Sequence, residues 1–170
     1  MVSAPGQFTT FDYSTPMPEF TISLSPCIYQ GAYGGIILKA NELVCGLDEQ
    51  SMKPYVKTGT QQWNSTNLLG TSDVWQTQSR GTGGVWYTPT KLNFFNLTLS
   101  YAGGWLTVYR NGLIDQKIEL PDLSLSSLQI GGFTGWVEDV RVYSRALLQN
   151  EVKTLSAVSN SYTLNPVLLT

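Results

Sequence analysis

Twelve Asp and Glu residues and no histidine limit the chemistry open to this sequence. Without imidazole there is no Ser-His-Asp or Cys-His nucleophile, no His-ligated zinc and no imidazole base. Acid–base work would fall to paired carboxylates. Retaining glycoside hydrolysis needs two of them about 5–5.5 Å apart. On one strand that means acids two or four residues apart, because side chains alternate faces. The adjacent acids, Asp48-Glu49 and Glu138-Asp139, point to opposite faces if they lie in strands. Asp139 and Arg141 share a face and read as a structural ion pair. The expectation is a protein with no catalytic residues.

Aromatic residues offer a second chemistry. Trp63, Trp75, Trp86 and Tyr87 lie in a stretch rich in Gln, Asn, Ser, Thr and Gly. Rings flanked by amides and hydroxyls suit sugars, with the ring on the apolar face of the pyranose and the polar groups on its hydroxyls. The same residues suit core packing or a protein interface, and all three readings stay open. Calcium is a weaker candidate, since it wants six to eight oxygens. Leu47-Asp48-Glu49-Gln50-Ser51, Asn41-Glu42 and Asp73 could supply some, but nothing resembles a dedicated loop, and no metal or cofactor is expected. Cys27 and Cys45 read as two small buried hydrophobes or as one bridge.

These residues need a frame, and the composition allows one. The chain is 42% hydrophobic and 12% aromatic, enough for one real core. Only 13% is charged and the net charge is -2, so no basic stripe exists for nucleic acid or anionic membranes. No apolar run approaches the ~20 residues of a membrane span. Period-two alternation predicts strands at 20–24 and 94–101, with Phe95, Leu97, Leu99 and Tyr101 facing inward and packed across the sandwich against Val108 or Val140 and Val142. Further strands are predicted at 36–39, 43–47, 53–57 (an edge, from Pro54), 105–110 and 113–118. Asn111-Gly112 is the hairpin tip between the last two, because it tolerates positive φ. Apolar spacing over 145–155 predicts the one helix, with Ser144 as N-cap. The sum is an all-β chain, an antiparallel two-sheet sandwich with one short C-terminal helix. Residues 1–18 and 156–170 read as arms flanking a domain at 18–155, and are expected to contact neighbouring molecules.

Several of these segments together resemble a known family. Phe94-Phe95-Asn96-Leu97-Thr98-Leu99-Ser100-Tyr101-Ala102-Gly103-Gly104 precedes Leu106-Thr107-Val108-Tyr109-Arg110-Asn111-Gly112. Leu128-Gln129-Ile130-Gly131-Gly132 follows, then Gly135-Trp136-Val137-Glu138-Asp139-Val140-Arg141-Val142-Tyr143 running into a short helix. This is similar to the laminin-G-like, concanavalin A-like jelly-roll family, over about residues 18–155. Phe20-Thr21-Ile22-Ser23-Leu24 resembles its early core strand, with Ser25 where a tryptophan is common. The family carries Asp-Glu where this chain carries Glu138-Asp139. Its glucanase-like members use a Glu-x-Asp-x-Glu run, which is missing here.

The resemblance implies a recognition or structural protein. A sparsely charged jelly roll without a visible signal peptide reads first as a virion surface protein, a capsid decoration or a fibre or tail appendage. It would be made in the cytoplasm and reach the virion, or the exterior, by lysis. Its partners would be capsid or tail proteins or copies of itself, with host glycan as a further ligand. The alternative is a lectin-like carbohydrate-binding module, and the third reading a glycan-active hydrolase or lyase.

Overall fold

The computed structural model describes residues 2–3, 6–28, 35–48, 53–65 and 95–159. These form a two-sheet antiparallel jelly-roll sandwich with one short helix. Strands are numbered along the chain. One six-stranded sheet has the spatial order β1 (Val2–Ser3), β12 (Gly135–Tyr143), β3 (Phe20–Ile28), β8 (Leu97–Ala102), β9 (Trp105–Arg110), β10 (Leu113–Glu119). The other, also six-stranded, runs β2 (Phe8–Met17), β11 (Leu125–Gly131), β4 (Gly35–Ala40), β5 (Leu43–Leu47), β6 (Pro54–Thr58), β7 (Gln61–Asn64). The helix, α1, spans Gln149–Ser159.

Alternation builds the core. Phe20, Ile22 and Leu24 on β3 and Leu97, Leu99 and Tyr101 on β8 are buried beside Leu106, Val108 and Phe95. They meet Leu38, Ala40, Leu43, Cys45, Val56, Leu128 and Ile130 of the opposite sheet. Cys27 and Cys45 are both buried, and no bridge joins them. Burial pushes the Cys45 thiol up to about 12, which keeps it neutral.

The structure departs from the sequence reading at several points. β9 and β12 lie in the same sheet as β8, so Val108 and Val142 do not pack across the sandwich from it, and the register shift between Glu138 and Arg141, with Asp139 at φ 53°, turns Val140 outward. The extra residue of a β-bulge flips every later side chain. β3 continues through Pro26, because β8 pairs only as far as Leu24 and no ladder asks for the missing N–H there. β6 lies inside its sheet, and its Pro54 is tolerated as the first strand residue. The segment expected as an N-terminal arm pairs within the chain, β1 on β12 and β2 on β11. β2 is an edge strand with mostly exposed side chains, so it lacks the apolar alternation that signals a strand.

The helix begins at Gln149, five residues after the expected cap Ser144. Thr21 Oγ1 donates to Arg145 O at 2.9 Å and accepts from Leu147 N at 2.9 Å, fixing the approach to the helix as irregular chain. Glu151 then reaches back to accept from Leu148 N at 2.8 Å, so this carboxylate takes up a helix-entry donor and Ser144 takes no part. α1 runs on to Ser159, and Ser156 is buried. The remaining tail, 160–170, lies outside the described residues.

Candidate functional site

Hairpin turns divide the sandwich into two ends. β8 and β9 join through Gly103-Gly104, at φ 57° and 81°. β9 and β10 join through Asn111-Gly112, at φ 50° and 77°, the expected tip. Consecutive hairpins put these turns at opposite ends, and the α1 end is closed. Gly112 lies against Lys153 and Ser156, while Tyr109, Leu147 and Val152 bury one another.

The other end is a rim of turns. Its centre is the loop 120–124, held from three sides. Tyr101 Oη donates to Leu120 O at 2.8 Å and accepts from Leu123 N at 3.0 Å. Leu120 N donates to Gly104 O at 2.8 Å. Asn41, at φ 52°, donates through Nδ2 to Ser124 O at 2.9 Å. Its Oδ1 accepts from Ser127 N at 2.8 Å, Ser126 N at 3.0 Å and Ser126 Oγ at 3.2 Å.

Two clefts flank this loop and share Pro121, Asp122 and Leu123. One, of about 440 Å³, is lined by Asn41, Glu42, Thr58, Gln61, Asp122 and Ser124 among others. The other, of about 500 Å³, lies between the loop and Pro18, Glu19, Gly103 and Gly104. Asn41 is spent on its clasp, whereas among the described residues the side chains of Glu42, Thr58, Gln61, Asp122 and Ser124 find no hydrogen-bond partner. Carboxylates, an amide and hydroxyls thus face a concave surface with their capacity unused.

The expected aromatic surface is brought only partly into view. Trp63 lies on β7, half-buried and packed against the core, two residues beyond Gln61 on the same strand face. Trp75, Trp86 and Tyr87 lie outside the described residues. Trp105 is the ring that sequence reasoning passed over. It is 42% exposed, follows directly on Gly103-Gly104, and carries Lys117 Nζ 5.1 Å from its centroid. Its strand parity, opposite to Leu106 and Val108, was the available signal.

Asn41 Oδ1, with three donors already, has nothing left for calcium. Among the described residues no group of three or more acidic or cysteine side chains is placed to hold a metal. Asp139 makes the expected ion pair with Arg141 at 2.7 Å. Asn96, which opens the triplet Asn96-Leu97-Thr98, is buried and bonded to Ser23 and Thr98. No described helix is long and apolar enough to cross a membrane.

No protein-family model matches the chain, and no curated protein does. Solved structures do. A Bacteroides ovatus protein assigned as carbohydrate-binding is 16% identical at TM-score 0.60, over 89% of this chain and 46% of that one. A structure of botulinum neurotoxin type C, concerned with cell entry through two ganglioside molecules, is 11% identical at TM-score 0.59. That match spans 93% of this chain and 42% of the toxin chain. The native heptameric pentraxin of Limulus polyphemus is 15% identical at TM-score 0.55, over 91% of this chain and 80% of its own. The chain therefore spans less than half the length of the first two. At these identities the likeness is one of fold.

Proposed function

We propose that the chain is a non-catalytic recognition module that binds carbohydrate at the turn-bearing rim of its sandwich. One observation carries the reading. Glu42, Thr58, Gln61, Asp122 and Ser124 line a single cleft with side chains that make no hydrogen bond to another described residue, and Asp122 and Ser124 sit on a loop anchored by Tyr101, Gly104 and Asn41. Sugars are bound by many directional hydrogen bonds, and pre-anchored donors and acceptors lose little entropy in making them. The fold likeness to proteins described as carbohydrate- or ganglioside-binding supports it.

The strand carboxylates supply no acid–base pair. Glu138 has Ser25 as its cross-strand neighbour, and Glu119 has Trp105. Asp139 is held by Arg141, and Asp115 accepts from Ser65 Oγ at 2.7 Å. None of these faces a second carboxylate across a ladder, as paired acid–base work requires.

The test is a glycan array probed with the purified chain. Selective binding to a set of oligosaccharides is expected, with no hydrolysis of them. A folded protein that binds none would defeat the reading. A self-assembling particle protein, such as a virion decoration or fibre component, is the second reading. The long exposed edge strand β2 favours it, because an open edge can accept another chain's strand. A native mass of several protomers would be its mark.

A further inference from the structure

We infer, resting on the carbohydrate reading, that the rim cleft selects by charge: it takes neutral or amino sugars and excludes sialylated and sulfated ones. The 440 Å³ cleft presents two carboxylates, Glu42 and Asp122. The adjoining cleft shares Asp122 and adds Glu19. Among the described residues no Lys or Arg lines either cleft. Nor is any of the three acids tied up in an ion pair with another described residue.

The consequence follows from what a carboxylate can do. It only accepts, and its two oxygens can take two neighbouring hydroxyl protons of a pyranose at once. Gln61 both donates and accepts, and Thr58 and Ser124 adapt to either need. An amino sugar gains further, because its ammonium places a positive charge beside Glu42 or Asp122. A sialic acid carboxylate or a sulfate ester would enter beside like charge with no cation to offset it. Charges held that way act mainly on specificity, against the wrong partner. The cleft volume falls in the range of about 300–1,000 Å³ usual for small-ligand sites, enough for one or two sugar rings.

The experiment compares the full chain with Glu42→Lys and Asp122→Asn. The array carries neutral, N-acetylated, amino, sialylated and sulfated oligosaccharides. Glu42 is exposed in a two-residue turn, and Asn tolerates the φ of 62° at position 122, so both variants should fold, as melting curves will show. The wild type is expected to bind neutral or amino sugars and to ignore anionic ones. Glu42→Lys should weaken amino-sugar binding roughly tenfold, about one lost charge pair, and gain anionic ligands. Asp122→Asn should lose the amino-sugar preference and keep neutral binding. Wild-type binding led by sialylated or sulfated glycans would overturn the charge rule. Amino-sugar and anionic binding unchanged in both variants would move the site elsewhere. Either result leaves carbohydrate binding standing, whereas a wild type that binds no glycan takes both proposals down.

Discussion

Two glycine-bearing turns of near-identical geometry do opposite work in this molecule. At Gly103-Gly104 an added Cβ would meet nothing within 4 Å at either residue. At Gly112 it would lie 2.5 Å from Ser156 Oγ and 3.0 Å from Lys153 Cα. Both turns need positive φ, but only one also needs the missing side chain. The α1 end is thus packed shut, and the rim end is left open with unspent polar groups. A turn sequence reports backbone shape, and what lies against the turn decides whether that end seals or binds.

Truncating the shared core sets the scale for breaking this contrast. Leu99 is fully buried between the sheets, and Leu99→Ala should cost about 2–5 kcal/mol in urea unfolding. Both ends should lose stability together. Gly112→Val comes next, at about 3 kcal/mol, since left-handed strain adds to the clash with α1. Gly103→Asn at the open end should cost under about 0.5 kcal/mol by the same measurement. Equal costs at the two turns would erase the contrast.

Thr21→Val tests how the closed end is stitched. It strands the Leu147 N–H and the Arg145 carbonyl, for about 1–3 kcal/mol in chemical denaturation. A smaller effect is set by pH. The Arg145 guanidinium, bonded at 2.6 Å, and the Leu148 N–H hold the Glu151 carboxyl at about 2, below its ordinary 4.5. A lowered carboxyl contributes stability above its unfolded value and loses it as pH falls through the folded one. Helix content at the closed end should therefore decline between pH 4.5 and 2. Glu151→Gln should remove that decline, as read by circular dichroism.

Legibility in the sequence followed the same divide. Phe20–Leu24, Phe95–Tyr101 and the Asn111-Gly112 tip were readable because alternation and positive φ are local. β2 was not, because an exposed edge strand hides its parity, and neither was the outward turn of Val140 behind the Asp139 bulge. The helix start moved because Thr21, far away in sequence, captures Leu147 N. The rim escaped because it is assembled from turns separated along the chain, Asn41-Glu42, Thr58–Gln61 and 120–124, each an ordinary loop alone. Of the rings expected at a binding surface, Trp63 packs on the core and Trp75, Trp86 and Tyr87 lie outside the described residues, while Trp105 on the surface was passed over.

The central claim is that recognition belongs to the rim and stability to the α1 end. The direct measurement is a two-dimensional NMR titration of the isotopically labelled chain with an oligosaccharide chosen from the array. Amide shifts should move at 41–42, 58–61 and 120–124, while 111–112 and 149–159 stay still. Shifts confined to the α1 end, or to the β2 edge at 8–17, would contradict the account.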